Sequence, residues 1–160
     1  RWATRLSATD VTLDRMEVTA ERVARIPLGN LRVPRAAFAA VWTVAEQRNA
    51  AGDQVDWYAG GVGATCRWLA VAVMEGQPGG RALPPAPATR HRTPAYEELI
   101  EAEYIAAEQL GRHRPELVVD RPGWCEGIQA TLRWTWRGEG PAPFDVQPTR
   151  PPAGSHGVHR

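Results

Sequence analysis

The sequence predicts an all-α protein, a compact bundle of about five helices with a long Pro/Gly-rich internal linker and a loose Pro-rich C-terminal tail. Three observations predict it. Apolar residues recur at helical spacing in successive segments, each bounded by capping residues or by Pro and Gly. Two distant segments repeat each other: Trp57-x-x-Gly60 leads into Ala64-Thr65-Cys66-Arg67-Trp68, and Trp124-x-x-Gly127 leads into Ala130-Thr131-Leu132-Arg133-Trp134. Aromatic anchors interleaved with the smallest side chains suit a helix pressed against another backbone. Proline and glycine are otherwise concentrated in one internal stretch and one tail. The expected division is therefore a single domain over 1–138, containing an extended linker at 77–93, followed by a tail at 139–160.

The elements follow in order. Over 9–25, Leu13, Met16, Ala20 and Val23 share one stripe, and Pro27 and Gly29 close the segment. Pro34 suits the first turn of a second helix, whose apolar face is Ala37, Phe38, Val41, Trp42 and Ala45. The short connection at 49–52 makes it an antiparallel neighbour of a third helix, capped by Asp53 or Asp56 and running from Trp57 to about Met74. Gly60, Gly61 and Gly63 each weaken that helix by roughly 1 kcal/mol relative to Ala, so close approach to a neighbouring helix is expected to offset the loss, with a break into a loop near Gly60-Gly61 as the alternative. Thr93-Pro94 opens a fourth helix that Gly111 ends, with Glu97 and Glu98 at the positive end of its dipole and Tyr96, Leu99, Ile100, Ala107 and Leu110 along its stripe. Leu117-Val118-Val119 reads as a short strand or extended tether. The last helix starts at Asp120 and Pro122 and ends near Arg137, before Gly138.

Composition removes several chemistries. Hydrophobic residues at 43% and charged residues at 23% exclude low-complexity disorder for the bulk of the chain. The net charge of +1 provides no global attraction to nucleic acid or an anionic membrane. All of the 19 basic residues counted as Lys plus Arg are Arg, a bias expected of a high-GC bacterium of actinobacterial type. Without lysine there is no Schiff base and no P-loop. The most apolar run, 62–74, is short and carries Arg67, so no membrane span is expected and the chain reads as cytoplasmic. Cys66 and Cys125 have no zinc-type spacing and read as buried, reduced packing residues, with a disulfide between the repeats as the alternative.

Candidate chemistry is sparse. Glu97 and Glu101 stand one turn apart, but no His follows a Glu at the spacing of a di-metal carboxylate bundle, so an acidic solvated face or docking surface is expected. His91, His113, His156 and His159 all fall in linker, loop or tail, with no nucleophile beside them. Cys125 sits near a helix start, where a dipole lowers a thiol pKa, yet it packs equally well as a small hydrophobe. No nucleophile, base and orienter can be assembled, so no catalytic, cofactor or metal residues are assigned.

Two binding readings remain. Arg67, Arg133, Trp136 and Arg137, with Glu97 and Glu101, have the composition of a protein–protein contact surface. Separately, 127–143 (Gly127-Ile128-Gln129-Ala130-Thr131-Leu132-Arg133-Trp134-Thr135-Trp136-Arg137, then Gly and Pro) resembles the recognition helix and wing of MerR-like and excisionase-like winged helix-turn-helix domains. That resemblance implies a DNA-binding regulator contacting bases or phosphates through Gln129, Arg133 and Arg137. It covers one helix. The family's second Arg before the Trp is missing, and Asp120-Arg121-Pro122-Gly123 replaces the preceding helix-turn. The expectation is a non-catalytic protein-binding or assembly module acting through the Arg/Trp surface, the acidic helix or the Pro-rich segments. A DNA-binding regulator is the alternative.

Overall fold

The computed structural model describes residues 16–77 and 80–146 and is mostly helical, with one two-stranded hairpin among the described residues. Its helices are α1 (Ala20–Ala24), α2 (Arg35–Ala50), α3 (Trp57–Leu69), α4 (Glu97–His113), α5 (Pro115–Asp120) and α6 (Trp124–Leu132). The hairpin joins β1 (Met74–Gln77) to β2 (Gly80–Ala82) in antiparallel pairing. The all-α class is thus observed, and several expected boundaries move.

Of the helix expected over 9–25, only the turn α1 forms among described residues, and Leu13 lies outside them. Thr19 is extended and caps α1, its Oγ1 accepting from the Arg22 N–H at 3.2 Å. The Met16 N–H bonds the Glu46 carboxylate at 3.3 Å instead of a helical carbonyl. Arg35 closes the other end of α1, donating to the Val23 and Ile26 carbonyls at 2.7 and 2.5 Å. Pro34 stands at the cap of α2, one residue before the first turn where it was expected.

Helix α3 starts at Trp57 as expected, with Asp56 Oδ1 accepting from the Ala59 N–H at 2.9 Å. It ends at Leu69, well short of Met74, because Val71 turns into the left-handed region (φ 51°) and the chain enters the hairpin. The described part of the expected linker packs on the bundle: Pro84, Ala86 and Pro87 are buried. The buried carboxylate of Glu103 holds its turn by accepting from the Ala88 and Thr89 N–H groups and the Thr89 hydroxyl. Helix α4 begins at Glu97, not at Pro94, because tertiary bonds keep the preceding residues extended. Trp68 Nε1 donates to the Thr93 carbonyl at 3.1 Å and Asn30 Nδ2 to the Ala95 carbonyl, also at 3.1 Å. Gly111 lies inside α4, where an added Cβ would stand 3.3 Å from Val118 Cγ2. Val118 belongs to α5, a helix where a strand or tether was expected, started by Pro115. The last helix is shorter than expected. After Leu132 the backbone widens into one π-helical turn, Arg133–Arg137, closed by Gly138 at φ 63°.

The crossing of α3 and α6 is the centre of the core. A Cβ on Gly61 would collide with the Trp124 carbonyl, and a Cβ on Gly127 with the Tyr58 carbonyl. The contacts are reciprocal, so Gly61 pairs with Gly127 and Tyr58 with Trp124. Matching Trp57 to Trp124 by sequence is therefore one residue out of register. Thr65 and Thr131 each return their hydroxyl to these glycines' carbonyls, at 2.8 and 2.7 Å. Helix α2 packs on α3 as α4 packs on α6. Ala45-Glu46-Gln47 and Ala107-Glu108-Gln109 occupy corresponding turns, and their glutamates pair with Arg67 and Arg133. The reciprocal glycine contacts and the matched Glu–Arg pairs make the α2–α3 and α4–α6 pairs pseudo-symmetric. Trp68 is buried (2% exposed), whereas its repeat counterpart Trp134 is half-buried. Cys66 and Cys125 are free thiols, both buried.

Candidate functional site

Five of the six residues expected to bind a protein come together on one face, formed by α4 and the π-helical turn. Glu97 lies 3.9 Å from Arg32. The Arg32 guanidinium stacks 4.3 Å above Trp136, whose Nε1 donates to Glu101 at 2.6 Å. The other Glu101 oxygen accepts from Arg137 at 2.5 Å, and Arg137 lies 4.5 Å over the Tyr104 ring. One turn along, Arg133 grips Glu108 with two parallel bonds of 2.8 and 2.7 Å. That carboxylate raises the Arg133 pKa above its ordinary value. The π-helical turn creates the face: its extra residue per turn swings Trp136 and Arg137 round onto α4, and the Arg32 N–H donates to the Thr135 carbonyl at 2.8 Å. At the edge, Leu28 is 87% and Tyr96 51% exposed. Each precedes a residue of the contact in which Gly29 meets Glu97.

Arg67 is elsewhere. It lies on α3 and forms a bidentate pair with Glu46 of α2, at 2.6 and 2.7 Å, where Glu46 is only 2% exposed. Glu46 also accepts from Trp42 Nε1 at 3.1 Å, so its buried charge is well partnered. This pair forms the floor of a cleft of about 500 Å³ between α2, the 51–56 loop and α3, with Trp124 of α6 reaching in. Trp57 and Trp124 meet there edge to face, with centroids 6.3 Å apart.

The residues of the DNA alternative occupy the first face or its back. Gln129 Nε2 donates to the Ala107 carbonyl at 2.9 Å, and Arg133 and Arg137 carry the carboxylate partners already described. Cys125 lies in the first turn of α6, 4% exposed, with its thiol pushed up by burial and then by Glu126. That shift is opposite to nucleophile activation. His91 and His113 are exposed, and His156 and His159 lie outside the described residues. Among the described residues no three His, Cys, Asp or Glu side chains converge as metal ligands, and no helix is long and apolar enough to cross a membrane.

Arg32, Glu46, Trp57 and Trp124 were not singled out as binding residues. The repeated Ala-Glu-Gln turn was the available signal for Glu46, because it stands at matching places before the two Arg-Trp segments. Arg32 carries no local mark. Fold and site together define a pseudo-symmetric all-α bundle with one Arg/aromatic face and one separate cleft. Comparison with protein-family models, curated proteins and solved structures finds no match for this chain.

Proposed function

We propose that this chain is a non-catalytic protein-binding module, acting in the cytoplasm of a high-GC bacterium. Its contact surface is the Arg/aromatic face of α4 and the π-helical turn. The observation that carries the reading is the continuous ladder Glu97–Arg32–Trp136–Glu101–Arg137–Tyr104, with exposed Leu28 and Tyr96 beside it. Tryptophan, tyrosine and arginine dominate interface energetics. Here the arginines are already held by carboxylates and rings, which reduces the side-chain ordering that association would otherwise cost. Leu28 and Tyr96 supply apolar area for a partner to cover.

Contact with duplex DNA through Gln129, Arg133 and Arg137 ranks second. Those groups would first have to leave Ala107, Glu108 and Glu101, and the two arginines lie beside carboxylates that repel phosphate.

Photocrosslinking in the native host from Tyr96→p-benzoylphenylalanine, read by mass spectrometry, tests the proposal. A single partner is expected, and Trp136→Ala should weaken its binding by about 2 kcal/mol, the size of an interface hot spot. Absence of a saturable crosslink, or a salt-sensitive shift of duplex DNA lost in Arg133→Ala, overturns it.

A further inference from the structure

The cleft beside Arg67 lies apart from that face and has a chemistry of its own. We propose that it binds a small molecule consisting of a flat aromatic ring with an ammonium group on a short aliphatic arm. Its volume of about 500 Å³ accommodates such a ligand. Two indoles, Trp57 and Trp124, line it and present aromatic surface to a planar ring.

The charges decide which ring. Glu46 and Arg67 cancel as a bidentate pair on the floor. Asp56 is engaged, capping Ala59 with one oxygen and lying 3.9 Å from Arg48 with the other. Asp53, on the rim, has no ion pair or side-chain hydrogen bond among the described residues. Asp53 is exposed and its carboxylate only accepts, so a ligand that engages it in place of solvent brings the donor. An ammonium group on an aromatic body satisfies Asp53 and the indole faces at once. The Arg121 guanidinium stands 5.3 and 5.5 Å over the same rings without lining the cleft, so the ligand is left the ring surface that faces the cleft, and its preference for a cation rests on Asp53.

The pseudo-symmetry isolates the cleft as a departure from the shared scaffold. Gly111 holds in α4 the place that Asn49 holds in α2, and there Val118 of α5 packs against it. The 51–56 loop leaves the corresponding space beside Asn49 open.

Three probes with similar bodies and different charge test this: phenethylamine, 2-phenylethanol and 3-phenylpropionate, each titrated into the full chain. The indole N–H resonances of Trp57 and Trp124 report binding by 15N-edited NMR. Phenethylamine should shift both saturably and bind on the order of tenfold tighter than 3-phenylpropionate, since reversing the ligand charge turns attraction to Asp53 into repulsion. Asp53→Asn, on an exposed loop where folding is not at stake, should cut that preference to about threefold or less, as expected when one partly exposed pair is removed. Ala64→Leu, which narrows the cleft, should weaken all three probes alike. Equal affinity for the three, preference for the anion, unmoved Trp57 and Trp124 resonances, or an unchanged preference in Asp53→Asn would each overturn the proposal. None of these outcomes bears on the Arg/aromatic face, which Trp136→Ala tests separately.

Discussion

At Gly61 and Gly127 one methyl group is enough to part the central helices, because the obstacle is a backbone carbonyl that cannot rotate away. Gly61→Ala and Gly127→Ala should each lower stability by about 3 kcal/mol, the upper part of the usual overpacking range. At Gly60 an added Cβ would first meet a Trp124 ring carbon, at 3.3 Å, which can give, and alanine there regains about 1 kcal/mol of helix propensity. Urea denaturation should therefore show Gly60→Ala close to neutral beside two strongly destabilised variants; equal effects at all three would contradict the crossing. The sequence marked a small-residue helix but not which glycine touches, because reciprocal contact depends on the partner's register. Cys66 makes a second residue-scale point. Burial, then Glu46, holds its thiol well above its ordinary 9.0. Above that pH the unfolded chain releases a proton that the folded chain keeps, so stability must fall as pH rises. Denaturation midpoints should drop between neutral and strongly alkaline pH, and less so in Cys66→Ala relative to its own neutral value. In the native state at neutral pH, both cysteines should resist thiol reagents.

The two helix pairs are fastened by the same kind of bond in different surroundings. Glu46–Arg67 has one partner at 2% side-chain exposure, and Glu108–Arg133 stands at 32% and 46%. Breaking a buried pair leaves a charge without its counterion, which costs about 3 kcal/mol or more, while an exposed pair contributes about 0.5 kcal/mol. Glu46→Gln should accordingly be far more destabilising than Glu108→Gln in thermal unfolding, although the repeat puts both at matching positions. The π-helical turn is the other element to test. Gly138→Ala forces a left-handed residue to carry a Cβ, and a loss of about 1 kcal/mol is expected. Helix existence was legible from the 3.6-residue period, but helix ends were not. Thr93-Pro94 has the residues of a helix start, and the bond from Trp68 keeps it extended. Leu117-Val118-Val119 looks like a strand by composition, yet Pro115 and the bare Cα of Gly111 let it coil against α4. Local propensity yields in each case to a contact made from far along the chain.

Taken whole, the chain is two half-molecules, each exposing the face that the other needs. Fragments 1–77 and 80–160, expressed separately, should lack cooperative unfolding, and mixed together they should form a one-to-one complex that regains it, because α3 and α6 bury the faces of Gly61 and Gly127 against each other. Independent folding of either fragment, seen by circular dichroism and a cooperative thermal transition, would contradict the interlocked core. By itself the sequence determined the helical class, the pairing of two Trp- and Gly-containing helices, the buried cysteines and the lack of lysine chemistry. These depend on composition and on spacings within one helix, which a linear reading measures directly. The tertiary structure alone decided that Arg133, Trp136 and Arg137 lie against Glu101 and Glu108 on one face while Arg67 opens on another. A π-helical turn and a one-residue shift of the repeat set those positions. Both are rotations about a helix axis, and they follow from packing between segments far apart in the chain, 25 to 36 residues for the contacts of the π-helical turn with α4, which no local pattern encodes.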